Sequence, residues 1–136
     1  MSPAPDSLHD AIRSAIARSS ALGEPASVLV IGLEDAEPQA AADVLAANLR
    51  AADVIEPMGD GTYAVVLFGI SRLASCSVAE RLERRIAPIV TGPSHSRVGM
   101  TLIGPWERRD AERILAGAWA DLRERHTATW AELVAA

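Results

Sequence analysis

The chain carries a single cysteine, Cys76, so no disulfide can close within it and nothing in it demands an oxidising compartment. Long hydrophobic runs are also missing. The longest, Ala64 to Ile70, is far too short to cross a bilayer. Residues 1–6 (MSPAPD) are polar and turn-rich, so no basic-then-apolar signal segment opens the sequence. A cytoplasmic protein without membrane contact is the expectation. Positive charge is in deficit, with a formal net charge of −5, which argues against broad binding to nucleic acid or anionic lipid. It leaves room for a small anionic ligand held by a local arginine cluster. His9, His95 and His126 show no metal-ligand spacing, so no metal is assigned. There is no Walker loop and no Gly-x-Ser-x-Gly elbow. Cys76 has no nearby His-Asp pattern and reads as an inert thiol.

What is present is globular. The 136 residues are 49% hydrophobic and 23% charged, enough for one domain over 1–136, with 1–5 and 127–136 as peripheral tails. Leu8, Ile12, Ala15 and Ile16 recur at helical spacing after a cap at Asp6 or Ser7, and Gly23 closes that helix. Ser27 to Leu33 is too apolar for an exposed strand and reads as a central one. Pro38 opens a second helix that buries Ala41, Val44, Leu45 and Leu49. Val54-Ile55 and Thr62 to Phe68 flank a Gly-Asp-Gly turn, the signature of a β-hairpin. Arg72 to Ile86 forms a third helix with Val78, Leu82 and Ile86 inside. Pro88 to Ser96 is a loop, and Val98 to Ile103 is a fourth strand. Asp110 caps a last helix with Ile114, Leu115, Ala118 and Leu122 inside. The predicted fold class is α/β (α+β): a βαββαβ sheet with a central hairpin, covered by helices.

The segment from Arg50 to Leu67 (RAADVIEPMGDGTYAVVL) resembles the centre of the GGDEF family, the diguanylate cyclases that make cyclic di-GMP. In that family the signature loop lies on this hairpin. Here Gly59, Asp60, Gly61, Thr62 and Tyr63 stand in its place, keeping the first glycine and a final aromatic. Residues 79–82, 98–104 and 111–118 resemble later helices and the next strand of the family. The resemblance implies a GGDEF, nucleotide-cyclase-like fold.

The departures bear on catalysis. Cyclases of this family join two GTP molecules on divalent ions held by two carboxylates, and the matching positions here are Gly32 and Gly61. The hydrogen that is glycine's side chain cannot coordinate Mg²⁺. The Phe-Lys and Asn-Asp segment that contacts guanine is missing, because Leu33 to Pro38 leads almost directly into the second helix. The phosphate-holding Lys of the last helix falls at Trp119, and the Arg that follows it falls at Arg123. A one-residue slip would offer Asp60, Glu34 or Asp35 as substitutes. The expectation is a pseudo-cyclase with no catalytic residues and no cofactor.

One family site is retained by position. Arg50 and Asp53 match the Arg-x-x-Asp inhibitory motif five residues before the signature, and Arg81 matches the arginine that completes it. The resemblance implies a cyclic di-GMP receptor at Arg50, Asp53 and Arg81. An arginine fork can pair with guanine O6 and N7 or with phosphate, and a carboxylate can accept from guanine N1–H and its amino group. Arg84 and Arg85 add positive charge nearby. The bland reading places Arg50 in the last turn of the second helix, complementing its dipole. It also assigns the glycines at 59 and 61 to the backbone needs of a tight turn. All three site side chains are expected at the surface, so that removing them leaves stability unchanged. Trp106, Trp119 and Trp130 are the scarce large aromatics, and Trp119, at the family's Lys position, reads as core, interface or drift, core or interface burial being the commoner fate. The expected partners are cyclic di-GMP and a protein reached by non-covalent contact, with a homodimer also within the family's habits. The competing reading is an interaction module of the same fold that binds no nucleotide.

Overall fold

The computed structural model describes residues 6–91 and 96–125. The assigned tails 1–5 and 127–136, with His95, His126 and Trp130, lie outside the described residues. The elements run α1 (Asp6–Leu22), β1 (Ala26–Gly32), α2 (Pro38–Asn48), β2 (Val54–Pro57), β3 (Thr62–Leu67), α3 (Arg72–Ile86), a 3₁₀ turn (Ala87–Ile89), β4 (Val98–Ile103) and α4 (Ala111–Glu124). The sheet order is β2-β3-β1-β4, and every neighbouring pair is antiparallel. This is the expected βαββαβ arrangement. Each crossover helix links two strands that flank a third.

β1 is buried along its whole length because both faces of the sheet are covered. Val28, Val30, Ala64 and Val66 face Leu8, Ile12 and Ala15 of α1 and Ile114, Leu115 and Ala118 of α4. Leu29, Ile31, Val65 and Leu67 face Ala41 and Leu45 of α2 and Cys76, Ala79, Leu82 and Ile86 of α3. The period-two alternation of β1 and β3 thus sorts their side chains between two cores. Ile16, Val44, Leu49, Val78 and Leu122 are half-buried at the core margins. Trp119 packs beside the first core, and Trp106 is 86% exposed. Trp106 sits in the turn between β4 and α4.

Local chemistry explains the element ends. Asp6 lies inside the first turn of α1 rather than ahead of it, where its carboxylate still favours the helix dipole. Gly23 ends α1 at φ +72°, donating its N–H to the Ser19 carbonyl at 2.9 Å. Glu37, Ser71 and Asp110 cap α2, α3 and α4 by accepting first-turn N–H groups. Side chains also occupy the outer edge of β4. Glu83 accepts from the Arg97 and Val98 N–H groups, and Asp121 accepts from the Met100 N–H at 2.7 Å. Arg109 Nη2 donates to the Leu102 carbonyl at 2.9 Å. Occupied edge groups cannot template pairing with another strand.

Candidate functional site

α2 stops at Asn48, and Leu49 is already extended (φ −121°, ψ 155°). Arg50 therefore lies in the turn beyond the helix, not in its last turn, which removes the dipole explanation for it. The turn closes through the Asp53 N–H, which donates to the Arg50 carbonyl at 3.0 Å. The Asp53 carboxylate bends back over this turn. It accepts from the Arg50 backbone N–H (2.8 Å), Nε (3.3 Å) and Nη2 (2.9 Å). Arg50 Nη2 also donates to the Phe68 carbonyl at 2.7 Å, tying the turn to the end of β3. The Asp53 side chain is only 2% exposed, whereas that of Arg50 is 52% exposed. Asp53 is thus a buried staple of the turn, which corrects its assignment to the open surface.

Arg81 reaches the same place from α3. Its Nη2 donates to the Asn48 carbonyl at 2.8 Å, at the C-terminus of α2. The cation that complements this helix end is therefore Arg81. Arg50, Asp53 and Arg81 are brought together around one helix end, although 81 is remote from the other two in sequence. Arg84 is turned to Glu80 (2.9 Å). Arg85 lines a groove between α2 and α3.

The hairpin corner lies at the opposite end of β3. Gly59, Asp60 and Gly61 all have positive φ (87°, 55° and 75°), and the Thr62 N–H donates to the Gly59 carbonyl at 3.1 Å. The chain after β1 folds directly onto this turn. The Leu33 N–H donates to the Gly61 carbonyl at 2.9 Å, and Thr62 Oγ1 donates to Glu34 Oε1 at 3.2 Å. A side chain at position 61 would begin 2.6 Å from the Glu34 Cα. A Cβ at position 32 would meet the Glu34 carboxylate at 3.2 Å. The segment that follows β1 thus occupies the space beside both glycines.

These residues do not fit a pair of catalytic divalent ions. Neither glycine supplies a side-chain carboxylate, and Glu34 accepts from Thr62. Asp35 forms a two-point ion pair with the buried Arg97 and accepts from the Thr91 N–H at 3.1 Å. Asp60, in the left-handed region, is exposed at the turn. Among the described residues no three His, Cys, Asp or Glu side chains gather as a metal-ligand group. The Asp35–Arg97 pair had no signal in the sequence, because its halves lie 62 positions apart. Burial pushes the Cys76 thiol up from its ordinary range, consistent with low reactivity.

No protein-family model and no curated protein matches the sequence. Solved structures do match. A sensory box/GGDEF family protein from Caulobacter crescentus is 23% identical, with a TM-score of 0.71 over 88% of this chain and 90% of that chain. The active GGEEF domain of a diguanylate cyclase from Vibrio cholerae is 17% identical, with a TM-score of 0.71 over 91% of this chain and 90% of that chain. PelD from Pseudomonas aeruginosa PA14, in complex with c-di-GMP, is 18% identical. Its TM-score is 0.63 over 91% of this chain and 48% of that chain. The fold is therefore the GGDEF, nucleotide-cyclase-like fold. At these identities the likeness is one of architecture, and function has to be argued from the site. Among the described residues no helix is long and apolar enough to cross a membrane.

Proposed function

We propose that this protein is a non-catalytic GGDEF-fold module that binds cyclic di-GMP through Arg50, Asp53 and Arg81 and passes the signal to a protein partner. The observation that carries this reading is the gathering of the three residues at the C-terminal end of α2, with the Arg50 guanidinium half-exposed. Arg50 and Arg81 provide forked donors for guanine or phosphate oxygens. PelD, about half of which shares this fold, is a c-di-GMP complex and supports the reading by analogy. Absence of catalysis is supported separately by the corner at Gly32 and Gly61, where Glu34 stands against the space metal carboxylates would need. No cofactor is invoked. Calorimetric titration with cyclic di-GMP tests the binding, and a GTP turnover assay with Mg²⁺ or Mn²⁺ tests the inactivity.

A second reading is favoured by one specific observation. Asp53 and Arg81 already have partners inside the fold, so both have structural reasons to be present. A protein-interaction module that binds no nucleotide would use them in that way. Failure of every guanine nucleotide to bind would select it.

A further inference from the structure

We infer that the groove between α2 and α3 is a guanine subsite, with Arg85 on one wall and Asp43 on the other. The inference rests on the cyclic di-GMP reading above and extends it to residues outside the Arg-x-x-Asp motif. The groove has a volume of about 370 Å³ and is lined by Asp43, Val44, Ala47, Asn48 and Arg85. That lies within the usual span of small-ligand pockets, about 300–1,000 Å³.

Its polar groups are available. Asp43 accepts from Gln39 Nε2 on Oδ1 at 2.9 Å, and Oδ2 has no hydrogen-bond partner among the described residues. Arg85 makes no hydrogen bond or ion pair among the described residues, whereas Arg81 and Arg84 are engaged with Asn48 and Glu80. Both Asp43 and Arg85 are exposed. Val44 and Ala47 add apolar surface between them, suited to the face of a purine.

The contrast with Asp53 decides the assignment. A carboxylate that reads guanine must be free to accept from N1–H and the amino group. The Asp53 side chain is 2% exposed and accepts three hydrogen bonds from Arg50, so it positions that arginine instead. Asp43 has the freedom Asp53 lacks. Arg85 supplies the fork for O6 and N7 of the same base. Asn48 joins the two regions, since it lines the groove and its carbonyl holds Arg81. Phosphate at Arg50 and Arg81 would then place one base in the groove. Adenine would set its N1 lone pair and amino group wrongly against Asp43 and Arg85, which supplies discrimination by repulsion.

The test is calorimetry with cyclic di-GMP and cyclic di-AMP on the parent chain and on Arg85→Ala, Arg85→Lys, Asp43→Asn and Arg50→Ala. Arg85→Ala should weaken cyclic di-GMP by about 5- to 150-fold, the worth of one bidentate base contact. Arg85→Lys should recover little, because an ammonium cannot reproduce the fork. Asp43→Asn should weaken cyclic di-GMP and leave cyclic di-AMP no weaker, or tighter as the repulsion is relieved, narrowing the ratio between them. Melting temperatures should match the parent for the groove variants, as both side chains are exposed. Parent-like affinity in Arg85→Ala and Asp43→Asn, with binding lost in Arg50→Ala, overturns the groove and leaves the receptor reading standing. Equal weakening of both dinucleotides by Asp43→Asn also overturns it. A parent chain that binds no cyclic di-GMP overturns both.

Discussion

The Asp53 carboxylate and the Arg50 main chain hold each other in place: one Asp53 oxygen accepts from the Arg50 backbone N–H at 2.8 Å while the guanidinium closes over the same carboxylate. The bond resembles a helix cap turned outward, stabilising the turn that leads from α2 into β2. It makes the motif a structural element before it is a ligand site.

Asp53→Ala should therefore destabilise the protein in the absence of any ligand. Three accepted hydrogen bonds to a nearly buried carboxylate are lost, discounted for the half-exposed arginine. A cost of about 1–2 kcal/mol follows, seen as a melting-point fall of roughly 4–8 °C. A parent-like melting point would mean that the staple contributes nothing and that Asp53 is free to act on a ligand.

Catalysis should be absent and hard to restore. Purified protein should form no cyclic di-GMP from GTP with Mg²⁺ or Mn²⁺. Gly61→Glu puts a side chain on a residue at φ +75° and directly against the Glu34 backbone, with about 1–3 kcal/mol from the backbone strain alone. Combined with Gly32→Asp, it should lower the melting point and yield no product, since guanine positioning is still missing. Product from the unmodified chain above a heat-killed control would overturn the non-catalytic reading.

The fold was largely legible in the sequence because its signals are local. Short β-branched runs, the Gly-Asp-Gly turn and apolar residues at helical spacing each report their own element, and α3 and β4 fall at the predicted residues. The site was legible only in part. Arg50 and Asp53 lie within one motif, but the sequence could not tell that Asp53 turns inward or that α2 ends before Arg50. Both depend on where the helix stops and how the next turn closes. The pairing of Asp35 with Arg97 and the filling of the corner by Glu34 are tertiary events with no sequence spacing to announce them. Asp43 and Arg85 belong to different helices and meet only once α2 packs on α3.

Glu107 gives a pH dependence with a defined sign. Hydrogen bonds from the Arg109 side chain hold its carboxyl below the usual carboxylate range. Its contribution is therefore present above the unfolded carboxylate value, about 4.3, and is lost as pH falls through the lower folded value. Glu107→Gln should be less stable than the parent at pH 7, and the gap should close on acidification. Because Arg109 also bonds Thr101 Oγ1 and the Leu102 carbonyl, the variant should fray the end of β4 first. Denaturant titrations at pH 7 and pH 3 check this, and a gap that stays constant would remove Glu107 as its source.

Arg81 has two jobs under the receptor reading, and one substitution series separates them. Its guanidinium satisfies the Asn48 carbonyl at the end of α2, and the same cation faces the ligand. Arg81→Ala should cost about 0.5–1.5 kcal/mol of stability, the worth of one hydrogen bond. It should also weaken cyclic di-GMP and cyclic di-AMP alike, because a phosphate is the same in each. Arg81→Lys should recover most of the melting point, since an ammonium can still donate to one carbonyl. It should recover less of the binding, because the planar fork is gone. Ligand affinity that rises and falls only with the melting point across the three proteins would assign Arg81 to the helix end alone. Full affinity in Arg81→Ala would remove it from the site.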